Sequence, residues 1–102
     1  IYKSTDGAVS WDAYHEGIEN IEVISLTVDP HNPDIIYAGT NGNGIFKSTN
    51  GGLSWTDLSG GLTNLVVNTM IINPLTGDVY AGTDQGIFRL EQIKIFLPLI
   101  RR

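Results

Sequence analysis

Hydrophobic and polar residues alternate singly through several short stretches of this chain, with turn-forming residues between them. From Glu22 to Asp29, Ile24, Leu26 and Val28 fall on one face and Ser25 and Thr27 on the other, which is the period of a strand. Pro30-His31-Asn32-Pro33-Asp34 reads as a turn, because two prolines cannot sit inside a paired ladder. Ile35 to Thr40 predicts a second strand, Asn41-Gly42-Asn43-Gly44 a hairpin turn, and Ile45 to Ser48 a third strand. Ser54 to Leu58 predicts a fourth, and Ser59-Gly60-Gly61 closes the unit. No stretch sustains a 3.6-residue period, so helices are expected to be absent or trivial.

The pattern then repeats. Val67 to Ile72 matches Val23 to Val28 at an offset of 44, and Tyr80-Ala81-Gly82-Thr83 matches Tyr37-Ala38-Gly39-Thr40 at 43. Gly86-Ile87-Phe88-Arg89 matches Gly44-Ile45-Phe46-Lys47 at 42. The offset shrinks only inside turns, where deletions are tolerated. A third copy of one element lies at the start. Ile1 to Trp11 and Ile45 to Trp55 are identical at seven of eleven positions.

Four short strands per repeat of about 44 residues, joined by tight turns, fit a four-stranded antiparallel β-propeller blade. The expected fold is therefore all-β, with about two and a half blades of an incomplete propeller. Residues 1–20 read as the second half of a blade and residues 21–62 as a complete one. Residues 63–97 read as a further blade whose outer strand is modified, Ile93 to Leu97 standing where the turn and tryptophan are missing; 98–102 form a tail. A blade cannot bury both faces alone. The chain is thus expected to be a piece of a larger propeller or part of an assembly, with other blades, protein subunits or further copies of itself as partners.

Composition narrows the chemistry. Among 102 residues, six basic side chains against eleven acidic give a net charge of −5, which argues against nucleic acid and anionic membrane as partners. No cysteine is present, which excludes disulfides, thiol catalysis and thiolate metal sites. No signal peptide or membrane span is readable; the apolar run from Ile95 to Ile100 is too short to cross a bilayer. Twelve glycines, together with many Asn, Asp and Thr, suit a turn-rich β protein.

The stretches Ser4-Thr5-Asp6-Gly7-Ala8-Val9-Ser10-Trp11 and Ser48-Thr49-Asn50-Gly51-Gly52-Leu53-Ser54-Trp55 resemble the Asp-box, or BNR repeat, written S-x-D-x-G-x-T-W. That motif marks propeller blades of sialidases, sortilin-type receptor domains, xyloglucan-hydrolysing enzymes and a photosystem II assembly factor. With Asp29-Pro30 and Gly44-Ile45-Phe46-Lys47-Ser48 around it, the pattern looks like blades of bacterial secreted members, which implies an extracellular or periplasmic setting. The resemblance covers residues 1 to about 90. The first copy has Ala8 in place of Gly, the second has Asn50 in place of Asp, and both carry Ser (Ser10, Ser54) for Thr. In the family the box is a fold element away from the active site, so no activity follows from it.

The residues themselves point to the same structural role. Asp6 or Asn50 can accept backbone N–H bonds across its own turn, with Ser4 and Ser48 doing similar local work. Gly7 belongs to the first turn, Gly52 to a conformation other residues avoid, and Trp11 and Trp55 offer large rings for burial. A sialidase-like site needs clustered arginines, and only Arg89, Arg101 and Arg102 exist. Glycoside hydrolysis more broadly needs two carboxyl groups facing each other across a cleft, and Asp29, Asp34, Asp57, Asp78 and Asp84 are candidates for them by composition, although Asn73 at the position equivalent to Asp29 suits a turn former. His15 and His31 stand alone in polar turns, and Asn41 to Gly44 lacks the helix of a phosphate loop. Glu16, Glu19 and Glu22 form an acidic cluster that reads as a solvated loop. Tyr14, Tyr37 and Tyr80 would suit a sugar platform, yet the last two occupy equivalent strand positions, which favours packing.

The expected function is a non-catalytic scaffold or binding surface, with no catalytic, cofactor or metal residues and carbohydrate as one possible ligand class. Two alternatives stand beside it. One is a glycoside hydrolase fragment whose cleft lies in absent blades, with Asp29 or Asp34 contributing. The other is a subunit that docks through its apolar C-terminal strand.

Overall fold

A computed structural model of the chain describes residues 1–58 and 65–90. Those residues are all-β, with nine strands and no helix. Strand β1 (Tyr2–Lys3) pairs with β2 (Asp12–Ala13). A four-stranded sheet follows, in the order β3 (Val23–Val28), β4 (Ile36–Thr40), β5 (Ile45–Ser48) and β6 (Thr56–Asp57). The third sheet holds β7 (Val67–Ile72), β8 (Val79–Thr83) and β9 (Gly86–Leu90). Every pairing between these nine strands is antiparallel and joins strands consecutive in sequence; isolated bridges join Glu16 to Ser54, in parallel, and Asn41 to Val66.

The repeat extends to register. Leu26, Ala38 and Phe46 lie opposite one another in the second sheet, as Met70, Ala81 and Phe88 do in the third. Both sheets carry an irregularity at the same place, between Val23 and Ser25 and between Val67 and Thr69. The turns before β4 and β8 also correspond. The Asp29 N–H donates to the Ile35 carbonyl at 2.9 Å, and the Asn73 N–H to the Asp78 carbonyl at 2.9 Å.

Opposed residues in an antiparallel sheet share a face, so register assigns the faces. One face of the second sheet carries Leu26, Val28, Ile36, Ala38 and Phe46; the other carries Thr27, Tyr37 and Ile45. In the third sheet the first face carries Met70, Ile72, Val79, Ala81 and Phe88, and the second carries Ile71, Tyr80 and Ile87. Tyr37 and Ile45 pack on Met70, Ile72, Val79 and Ala81, which joins the second sheet to the third. On its opposite face, Ala38 and Phe46 pack with Trp55 and Ile18, against which Ile1 and Ile21 rest. Each buried aliphatic or aromatic side chain in these layers contributes roughly 1.5–3 kcal/mol.

The alternation in β3 has an outcome opposite to the usual one. Its apolar residues Leu26 and Val28 are exposed, while Ser25 and Thr27 face β7. The Ser25 hydroxyl donates to the Val67 carbonyl at 3.2 Å and the Thr27 hydroxyl to the Met70 carbonyl at 2.9 Å. Small hydroxyl side chains let the two strands approach closely, and Gly39 completes the fit. A Cβ there would overlap Ser25 Oγ and the Val67 side chain. The apolar face of β3 is left open because the short β1–β2 sheet only partly covers it.

The expected closing turn Ser59-Gly60-Gly61 and the strand expected over Ile93 to Leu97 lie outside the described residues. No helix among those described is long and apolar enough to cross a membrane.

Candidate functional site

The two Ser-to-Trp turns are wired alike. In the first, the Ser4 hydroxyl donates to Asp6 Oδ1 at 2.9 Å, and the Ala8 N–H donates to Ser4 Oγ at 2.8 Å. The Ser10 N–H closes the loop on Asp6 Oδ1 at 2.9 Å. In the second, Ser48 Oγ donates to Asn50 Oδ1 at 2.8 Å, the Gly52 N–H to Ser48 Oγ at 2.8 Å, and the Ser54 N–H to Asn50 Oδ1 at 3.0 Å. One bond reverses direction. The Ser10 hydroxyl donates to Asp6 Oδ2 at 2.6 Å, whereas Asn50 Nδ2 donates to the Ser54 hydroxyl at 2.8 Å. A hydroxyl can donate or accept, so serine serves both the carboxylate and the amide. The bonds from the Ser10 hydroxyl, the Ser10 N–H and the Ser4 hydroxyl lower the Asp6 pKa to about 2.

Backbone conformation matches too. Gly7 and Gly51 both sit at φ 72°, in the left-handed region that glycine favours. The following residue is also left-handed, with Gly52 at 96° and Ala8 at 73°. Alanine is strained there where glycine is not.

The tryptophans differ. Trp55 is 4 % exposed, and the connector after β2 clamps it: its N–H donates to the Glu16 carbonyl at 2.9 Å. Gly17, at φ 92°, lies so close that a Cβ would overlap the Trp55 carbonyl. The indole Nε1–H has no hydrogen-bond partner among the described residues, so packing alone holds the ring. Trp11, expected to bury its ring likewise, is instead 57 % exposed. The Gly17 contact escaped the sequence reading, although Gly61 stands 44 residues after it and marked the position as repeated.

Between β1 and the second sheet runs an apolar groove of about 380 Å³, lined by Ile1, Tyr2, Leu26, Val28, Ile36 and Trp55 among others. Lys3 lies at its margin, where its Nζ donates to the Gly51 carbonyl at 2.9 Å and sits 5.5 Å from the centre of the Tyr14 ring. Such a lining suits apolar surface better than a polar substrate.

The remaining chemical candidates serve local structure. Asp29 accepts from the His31 N–H at 2.8 Å, Asp78 from the Thr76 hydroxyl at 3.1 Å, and Asp84 from the Val66 N–H at 3.3 Å. The Asp34 carbonyl receives the Gly51 N–H, and its own N–H donates to Asn32 Oδ1 at 3.1 Å. Asp57 lies in β6, opposite Phe46. His31 Nε2 meets the Pro74 carbonyl at 2.6 Å, joining corresponding turns of two sheets. Of the acidic cluster, Glu19 accepts from the Gly17 N–H and Glu22 from Asn41 Nδ2, both at 3.0 Å. Glu16, Glu19 and His15 border a shallow polar pocket. In the turn from Asn41 to Gly44, the N–H groups of Gly42 and Gly44 both donate to the Leu65 carbonyl, which uses up the amides an anion would need. Tyr37 is buried and so is no part of a sugar platform. Among the described residues, no group of three His, Asp or Glu side chains is placed to hold a metal ion. No protein-family model matches the chain, and no curated protein matches it.

Proposed function

We infer that the chain is a run of Asp-box β-propeller repeats serving as a non-catalytic scaffold or binding surface, with protein as its partner. The supporting observation is that the box side chains, Ser4, Asp6, Ser48 and Asn50, bond entirely within their own turns. The carboxylates of Asp29, Asp78 and Asp84 are engaged in local backbone or turn contacts as well. Stacked four- and three-stranded meanders with one repeated register are the arrangement that neighbouring blades require. Through its resemblance to secreted bacterial proteins, the reading carries an extracytoplasmic location.

The test is hydrolysis of a panel of aryl glycosides and polysaccharides by the purified chain. The expected rate is that of buffer. Turnover at enzyme-like rates, abolished by Asp29→Asn or Asp34→Asn, would refute the reading and favour a glycoside hydrolase.

A further inference from the structure

The apolar groove beside β1 has an occupied counterpart inside the same chain. At the junction of the second and third sheets, Tyr37 is buried among Ile45, Met70, Ile72 and Val79. Lys47 lies opposite Tyr37 in the register, with its Nζ 5.5 Å from the ring centre. The groove is lined by Ile1, Lys3, Leu26, Val28 and Ile36. One repeat further on, these are the positions of Ile45, Lys47, Met70, Ile72 and Val79. Ile1 already rests on the core of the second sheet, as Ile45 rests on that of the third. What the groove lacks is a side chain in the place of Tyr37, and Leu26 is 50 % exposed where Met70 is 6 % exposed.

Tyr37 stands on β4, which pairs with β5 along the edge away from β6. Strand β1 is the counterpart of β5, and among the described residues it pairs with β2 alone. Its other edge carries unpaired backbone groups. The Ile1 carbonyl accepts from the Tyr14 N–H at 2.8 Å, as the Ile45 carbonyl accepts from the Leu58 N–H at 2.8 Å. By the alternation of an antiparallel ladder, Tyr2, opposite Ala13, therefore turns its own N–H and carbonyl away from β2. An unpaired edge beside an apolar groove is the arrangement that accepts an added strand. Main-chain bonds hold such a strand, and the groove selects its side chains.

We propose that β1 and the groove receive an extended segment of another polypeptide, which pairs antiparallel with β1 and seats an aromatic side chain in the groove. The register of β4 on β5 sets the details. The aromatic residue stands opposite Lys3 and packs on Leu26 and Val28, as Tyr37 stands opposite Lys47. The residue after it stands opposite Tyr2 and is small, as Ala38 is opposite Phe46. The recognised segment is thus aliphatic, aromatic, then small, in the manner of Ile36-Tyr37-Ala38-Gly39. Strands β4 and β8 of a second copy carry that pattern but are already paired on both edges, so the partner is a different protein. This deepens the scaffold reading by naming the chemistry of the partner, and it rests on the repeat equivalence that underlies that reading.

The experiment titrates the parent chain with a synthetic peptide copying residues 34–41, read by calorimetry and by hydrogen exchange at the Tyr2 amide. Saturable binding is expected, with slower exchange of the Tyr2 N–H in the complex. The same peptide carrying Tyr37→Ala is expected to bind about tenfold more weakly or worse. In the chain, Leu26→Asp is expected to abolish binding, and Lys3→Met to weaken it about two- to fivefold by removing the cation from the ring. Leu26 is exposed, and circular dichroism checks that the strands persist; the peptide variant leaves the chain untouched and serves whether or not they do. Absence of binding, equal binding of the two peptides, or an unchanged Tyr2 amide overturns the proposal. So does a Tyr2 amide protected before any peptide is added, the sign that the chain or a second copy covers this edge. Glycan hydrolysis would sink the scaffold reading while leaving peptide binding unchanged, so the two failures are distinguishable.

Discussion

The two Ser-to-Trp turns offer an internal control. Their side chains bond to the same backbone groups at distances that agree within about two-tenths of an ångström. Yet Trp55 sits in a core formed with Ile18, Ala38 and Phe46, while Trp11 lies open at the end of the stack. Local sequence therefore determines the turn, and the neighbouring sheet and connector determine what the tryptophan contributes. Eleven residues specify a shape; a neighbour makes it stabilising.

The sharpest way to break that comparison is to delete both rings. At a concentration low enough to keep the chain monomeric, Trp55→Ala is expected to cost roughly 3–5 kcal/mol in urea titration. Trp11→Ala is expected to stay within about 0.5 kcal/mol, as exposed positions do. Equal costs would show that the first turn is covered in solution even in the monomer.

A smaller effect separates Ala8 from Gly52. Ala8→Gly relieves a left-handed alanine and is expected to stabilise the chain by about 0.5–1 kcal/mol, the strain removed less the entropy that glycine adds to the unfolded state. Gly52→Ala introduces the same strain and is expected to destabilise by about 1–2 kcal/mol. Thermal midpoints of the two variants moving in the same direction would contradict the shared geometry.

Acidity distinguishes the turns most gently. The Asp6 pKa in the folded chain lies below its unfolded value, so its stabilisation is complete above the ordinary carboxylate range. It is then lost as pH falls from about 4 toward 2. Asn50 does not titrate, and the second turn has no such dependence. Comparison of the parent with Asp6→Asn by denaturant titration is expected to show a stability gap near neutral pH that narrows in this window. Because Asp6 is fully exposed, the gap is small. A gap independent of pH would mean that charge plays no part in the turn.

Much of this was legible beforehand. Single alternation placed β3, its repeat at an offset of 44 placed β7, and glycine with asparagine placed the hairpin from Asn41 to Gly44. The motif also implied that Asp6 accepts a backbone N–H across its own turn, as it does from Ser10, whereas the bond from the Ser4 hydroxyl to Asp6 was not read from the spacing. What escaped was orientation. Nothing in the alternation of Ile24 to Val28 shows that its hydroxyl side faces another strand, since each sheet has two packing faces and the partners of Ser25 and Thr27 lie 42 and 43 residues away. The exposure of Trp11, the clamp of Gly17 on Trp55 and the groove beside Leu26 are long-range outcomes of the same kind.

The turn amides have a chemical consequence as well. Asn-Gly pairs deamidate readily, because the glycine nitrogen attacks the asparagine side-chain carbonyl carbon to form a succinimide. This chain has three such pairs, at Asn41, Asn43 and Asn50. In the folded chain each following glycine N–H is held by a backbone carbonyl: Gly42 and Gly44 by Leu65, at 3.0 and 3.2 Å, and Gly51 by Asp34 at 2.9 Å. Asn50 is fixed further by bonds to both its oxygen and its nitrogen. The hydrogen bonds that shape the turns thus also keep all three attacking nitrogens occupied, and the chain ages chemically at those sites mainly while it is unfolded.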